Sequence, residues 1–245
     1  MKILKKAGVL LTALMALVAA PSFAQEGDGW YGEGSLSAGT TTGNTETTDV
    51  GGAFKAAYKA GVWNYGVDAS ADYGEIDGLE SRNRWAIGGN ADRLFNDRLF
   101  GFGRVSYEVD EFTAYDNRAF AGVGLGYHVL QGGAATWTVR GGPGIKLDKL
   151  RVAAPGVDRS SESFGAFARS EYAYAFSDNV KLTNNTDLLY GDDSTQLGNS
   201  LALTSALGGG LSARVSFDVR HDTDPPAGFE DTDTATKVSL VYGFK

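Results

Sequence analysis

The groups in this sequence best equipped for chemistry are arginines and carboxylates spaced two residues apart. Arg104, Arg118, Arg140, Lys146, Arg169, Arg214 and Arg220 share a phase with Asp68, Asp72, Asp92, Glu108, Glu171, Asp187 and Asp218, and apolar residues fall between them. In extended chain, residues i and i+2 lie on one face, so these charges line one side of a sheet. Two outcomes are open to charges so placed. Opposite signs can pair across strands and fill an enclosed interior, or they can border a narrow water path through it. Rings of a single sign are absent, which points any such path toward weak selectivity or toward small zwitterionic or anionic solutes.

The elements that must carry these charges are about twelve segments of period-two alternation. The third is the plainest: Trp63, Tyr65, Val67, Ala69, Ala71 and Tyr73 oppose Asn64, Gly66, Asp68, Ser70 and Asp72. Before it come Gly29 to Thr41 and Glu46 to Lys59, joined through Thr42-Gly43-Asn44-Thr45, residue types that suit a hairpin turn. After it run Arg82 to Phe95, Arg98 to Asp110, Asn117 to Leu130, Thr136 to Asp148, Glu162 to Phe176, Val180 to Tyr190, Thr195 to Leu207 and Leu211 to His221. Pro143 should demand a bulge or an end of regular pairing in its strand. The last segment, through Val238, Leu240, Tyr242 and Phe244, keeps an apolar face with an aromatic foot. That is what a strand sealing a cylinder in lipid needs.

Residues 1–24 read as an export signal: Lys2, Lys5 and Lys6, then the apolar run from Ala7 to Ala20, then Ser22-Phe23-Ala24 with cleavage expected after Ala24. The run is shorter than the roughly 20 residues of a membrane-spanning helix. Residues 25–245 form the remaining domain, so a membrane could be entered only by strands. The net charge of −8, with three lysines confined to the signal, argues against nucleic acid as a partner. With no cysteine there are no disulfides and no thiol chemistry, which suits passage through an oxidising compartment.

The aromatic residues choose between a soluble and a transmembrane barrel. A soluble sandwich crowds bulky residues mid-strand, but here they sit at strand ends, around small mid-strand residues such as Val67 and Ala69. Tyr58, Phe95, Tyr127, Trp137, Phe176, Tyr242 and Phe244 fall at one predicted end, and Tyr73, Trp85, Tyr107, Phe164 and Tyr190 at the other. The expected fold is an all-β, antiparallel, up-and-down transmembrane barrel of about 12 strands, with short turns beside the termini and long loops, notably Lys149 to Ser161 and Asp222 to Thr232, at the far side. The alternative, a soluble periplasmic carrier resembling lipocalins, needs the apolar face inside.

Enzymatic readings find little to hold. No Gly-x-Ser-x-Gly, His-Glu-x-x-His or phosphate loop occurs. Of two histidines, His128 falls on the inward phase at the short-turn end, while His221 lies at a loop-side strand end beside Asp222. A serine next to His221 would make an outer-leaflet lipid-modifying site, against the more ordinary reading of an interfacial histidine. Asp192, Asp193, Asp222, Asp224, Glu230, Asp231 and Asp233 could hold calcium or magnesium, or be solvated loop charge. Their spacing matches no known metal loop. The expectation is a non-enzyme with no catalytic residue, cofactor or resident metal.

With its strands placed, the chain resembles a family of bacterial outer-membrane proteins described as salt-induced, a domain of unknown function. The resemblance rests on Gly39-Thr40-Thr41-Thr42-Gly43-Asn44-Thr45-Glu46-Thr47, Tyr107-Glu108-Val109-Asp110-Glu111-Phe112 with Asn117-Arg118, Gly122-Val123-Gly124-Leu125-Gly126-Tyr127, Ser170-Glu171-Tyr172 and the segment from Thr232 to Phe244. It implies location and architecture and supplies no catalytic residues. The last strand also resembles the closing signature of outer-membrane barrels, apart from the added Lys245, which implies recognition by the barrel-assembly machinery. The resulting expectation is a structural envelope component or small pore of the bacterial outer membrane, linked through the resemblance to salt response. Its partners would be membrane lipids, lipopolysaccharide and small solutes or ions. The residues expected to line the lumen are Arg104, Glu108, Arg118, Arg140, Lys146, Arg169, Glu171, Asp187, Arg214 and Asp218.

Overall fold

The computed structural model describes residues 28–42, 47–152, 158–191, 194–225 and 228–245. Ala24 and the rest of the expected signal, the turn at 43–46, and Asp192 and Asp193 lie outside the described residues. Twelve strands follow one another: β1 (Gly29–Thr42), β2 (Thr47–Ala60), β3 (Trp63–Ile76), β4 (Leu79–Leu94), β5 (Leu99–Asp110), β6 (Tyr115–Leu130), β7 (Ala135–Leu150), β8 (Ser160–Ala175), β9 (Val180–Gly191), β10 (Thr195–Gly208), β11 (Leu211–Asp222) and β12 (Thr232–Phe244). Each pairs with its chain neighbours, and β12 returns antiparallel to β1 with Ala38 opposite Val238 and Gly32 opposite Phe244. The barrel is closed. Closure leaves no edge strand, the condition for placing a sheet in lipid.

The two faces of the wall settle which solvent it meets. Val238, Leu240, Val123 and Val67 all point outward and are more than half exposed, and the outward aromatics gather at the two rims. At the rim that carries the termini, Trp30 packs on Tyr58 at 5.1 Å between ring centres and Phe54 stacks on Phe244 at 5.9 Å. At the opposite rim Trp85 lies 5.5 Å from Tyr107. This apolar belt between aromatic girdles is the surface of a transmembrane barrel, and it excludes a soluble carrier with its apolar face inside.

Connections at the terminus-bearing rim are short, with side chains that fold them locally. Between β4 and β5, Asn96 Oδ1 accepts hydrogen bonds from the backbone N–H groups of Arg98 and Leu99 at 2.9 and 2.8 Å, an Asx turn. The longest connections, 151–159 and 223–231, sit at the other rim, as expected. One connection there departs from expectation. β3 and β4 run on to Ile76 and from Leu79, leaving only Asp77 and Gly78, at φ 53° and 79°, to turn the chain. Positive φ at both central positions is the hairpin geometry whose twist matches the strands it joins.

Pro143 requires no bulge. Pairing of β6 with β7 lapses between Gly122 opposite Gly144 and Leu125 opposite Gly141, and the register is the same on either side. Inside the wall at this place four phenylalanines, Phe100, Phe102, Phe120 and Phe167, form the one hydrophobic cluster of the described residues, flanked by Leu94 and Leu189. The glycines of β6 and β7 make room for these rings. A Cβ at Gly126 would meet the Phe100 ring, and one at Gly122 or Gly144 the Phe120 ring.

Candidate functional site: the charged lumen

The expected lumen residues do face inward, and most are held in pairs. Arg104 meets Asp68 at 3.3 Å. A connected chain runs from Asp92 through Arg140, Glu171 and Arg169 to Asp187, with successive contacts of 3.3, 3.1, 3.4 and 3.4 Å. The Arg140 guanidinium also lies over Phe100 and Phe102, at 5.2 and 5.7 Å from the ring centres, so the aromatic cluster and the charge chain share one side of the lumen. Arg214 binds Glu33 bidentately, both contacts at 2.8 Å, and takes Thr204 Oγ1 as a further acceptor at 3.0 Å.

Nearer the loop rim the pairs cross the lumen. β5 and β11 stand on opposite sides of the ring, yet Glu108 and Arg220 meet at 2.6 Å, and the other carboxylate oxygen of Glu108 takes Arg84 at 2.6 Å. Arg118 of β6 reaches Asp222 of β11 at 3.2 Å and stacks on Tyr115 at 3.4 Å. Lys237 of β12 reaches Asp72 of β3 at 2.5 Å. Lys146, expected to line a path, is instead buried: it pairs with Asp148 at 3.1 Å and donates to Ser194 at 3.1 Å. Asp218 stands apart from these pairs and accepts from Ser216 Oγ at 3.3 Å.

Water access differs between the two rims. Glu33, Asp68, Glu171 and Asp187 keep 31, 38, 36 and 43% of their side-chain surface exposed, and Lys55, opposite Glu33 and Asp68, is exposed as well. Toward the loop rim Asp49, Asp72, Asp110 and Asp148 are buried. Toward the terminus-bearing rim the lumen is therefore wet on the side of Glu33, Lys55, Asp68, Glu171 and Asp187 and packed on the side of Asp92, Phe100 and Phe102, and toward the loop rim it ends against a layer of paired charge. Outside that layer a small cavity of about 40 Å³ lies among Tyr115, Arg118, Arg220, Asp222, Phe229 and Asp231.

Three features escaped the sequence reading. Glu33, Asp49, Arg84, Asp110, Asp148 and Lys237 belong to the inward charges and were passed over, although their phase identifies them. Asp222 is not loop charge, because it ends β11 pointing inward against Arg118. The phenylalanine cluster left a signal in Gly122 and Gly126 of β6, which lie under the Phe120 and Phe100 rings, while Gly124 between them faces the backbone of Gly141 and Gly142. His128 is inward, hydrogen-bonded with Thr138 Oγ1 at 2.9 Å and packed on Phe100. His221 bonds Thr232 Oγ1 at 2.9 Å, and among the described residues no serine hydroxyl is bonded to it. The described residues also hold no group of three or more His, Asp or Glu placed to take a metal.

A family model described as "Protein of unknown function, DUF481" matches residues 34–244, the whole barrel but for the first residues of β1 and Lys245. The chain belongs to that family. That description carries no function to transfer, and the resemblance seen in the sequence is confirmed at the level of a domain of unknown function. This family member is 26% identical over 214 residues to the uncharacterized protein YdiY of Escherichia coli, covering 86% of the present chain and 82% of that protein. Among solved structures it is similar to the NanC porin, with TM-score 0.58 and 10% identity over 85% of this chain and 98% of that one. An outer-membrane channel from Pseudomonas putida F1 gives TM-score 0.55 and 10% identity, over 93% of this chain and all of the other. The KdgM porin follows at TM-score 0.51 and 9% identity, over 86 and 99%. At such identities the likeness is one of fold.

Proposed function

We propose that this chain is an outer-membrane β-barrel channel of a Gram-negative envelope, with a narrow lumen for small solutes or ions and no catalytic role. The observation that carries the reading is the wet, charged side of the lumen inside an apolar-faced barrel, closed at one rim by ion pairs rather than by a hydrophobic plug. Paired ions repay little of their desolvation when buried, so a layer of them is a weaker seal than packed hydrocarbon. The porin and channel names of its structural neighbours support the same reading. In this assignment the terminus-bearing rim faces the periplasm and the loop rim the exterior. Lipids and lipopolysaccharide meet the girdles, β12 engages the assembly machinery, and export removes residues 1–24. A link to salt response rests on the family resemblance, and transcript level after an osmotic upshift tests it.

The decisive experiment is single-channel recording of refolded protein in a planar bilayer, with folding verified by gel shift. Discrete openings are expected, and Glu108→Gln should raise their size or frequency by removing the carboxylate that ties Arg84 to Arg220. Folded protein that stays silent in wild type and variant alike would overturn the channel reading.

A further inference from the structure

The lipid-facing wall carries a polar cluster where hydrocarbon should lie. Along β9 the outward phase reads Leu182, Asn184, Thr186, Leu188, Tyr190, and along β10 Asn199 sits between Leu197 and Leu201. Asn184 Nδ2 donates to Asn199 Oδ1 at 3.2 Å, and Asn199 Nδ2 donates to Asn184 Oδ1 at 3.4 Å and to Thr186 Oγ1 at 2.8 Å. Amide side chains in the apolar belt are costly to hold against acyl chains, which offer neither donor nor acceptor. The relief on the two sides of the cluster is unequal. Toward β7 the outward residues Gly141, Ala166 and Ala168 form a short shallow patch, bounded by Phe164 on the loop side and on the other by Tyr172 and by Ser170, to whose Oγ the Trp137 indole donates at 3.0 Å. Toward β11, by contrast, Leu201, Leu203, Val215 and Phe217 stand exposed as a ridge.

We propose that this face is a self-association surface, on which two copies of the chain meet wall to wall. A two-fold axis along the membrane normal beside β9 keeps both copies in the same orientation across the bilayer. That rotation sets β9 against β9 and β8 against β10, so the leucine ridge of each copy lies on the alanine patch of the other. An isologous contact also suits the amides, since each carries donor and acceptor together and is complementary to its own symmetry mate. Small residues that permit close approach, with polar side chains bonding across the contact, are the means by which walls associate in lipid, where burying apolar surface gains nothing. Ridge-on-patch fit and amide self-complementarity both select a second copy over any other occupant.

The chain contains no cysteine, so single cysteines report contact directly. Leu188→Cys, on β9 near the proposed axis, should cross-link to a dimer in native membranes, while Val50→Cys, outward on the opposite wall, should not. Asn184→Leu with Asn199→Leu, checked for folding by gel shift, should weaken the dimer roughly tenfold in single-molecule photobleaching of lipid vesicles. Equal cross-linking at Leu188→Cys and Val50→Cys, cross-links only to other envelope proteins, or wild-type monomers at every protein-to-lipid ratio would overturn the proposal. None of these readouts depends on conductance, so a silent channel would leave the proposal standing.

Discussion

Glu108 shows what a single carboxylate does when its surroundings are other charges. It holds Arg84 and Arg220 at once, both at 2.6 Å, and so ties two walls of the barrel together. Removing one member of such a set leaves the others without compensation, and Glu108→Gln should therefore cost about 3 kcal/mol in urea unfolding from lipid vesicles. Asp218→Asn, whose hydrogen-bond partner among the described residues is the Ser216 hydroxyl, should stay close to wild type in the same assay. Glycines divide in the same way. A Cβ on Gly124 would run into the backbone of Gly141 and Gly142, whereas one on Gly34 meets nothing within 4 Å. Gly124→Ala should lose about 2 kcal/mol by overpacking and Gly34→Ala almost nothing, as read from unfolding midpoints.

Strands succeed here through alternation alone, and β12 is the clearest instance. Its outward Val238 and Leu240 pair in register with Ala38 and Leu36 of β1 and with Val215 and Ala213 of β11, so one strand seals the barrel along both of its edges. Leu240→Arg puts a charge on the lipid face and should destabilise the barrel by about 2–4 kcal/mol, measured as loss of the heat-modifiable folded band. Ser239→Ala, one residue away and inward, should leave that band unchanged. Alternation was legible because a strand with one face in lipid and one in water must write its environment into every second residue. Ends were less legible. β3 and β4 extend to Asp77 and Gly78 because a two-residue turn needs only a tolerance for positive φ, which Asp and Gly give without marking the loss of pairing.

For the molecule as a whole, charge balance inside the barrel matters more than the net −8 of the chain. Because most inward arginines and lysines are committed to a carboxylate, the proposed channel should show a small reversal potential in a salt gradient, and Glu108→Gln should shift it toward anions. Fold class, the inward phase of the charges, the girdles and the closing role of β12 could all be read from the chain, since each follows from which solvent a residue meets. Which charges pair could not. The contacts of Glu108 with Arg220, and of Lys237 with Asp72, join residues more than a hundred positions apart across a ring whose register is defined only on closure. The same holds for the aromatic side of the lumen and for the amide cluster on the outer wall. Alternation specifies a face, but only strand register and barrel curvature specify the neighbour, and it is the neighbour that decides whether a charge opens the lumen or closes it.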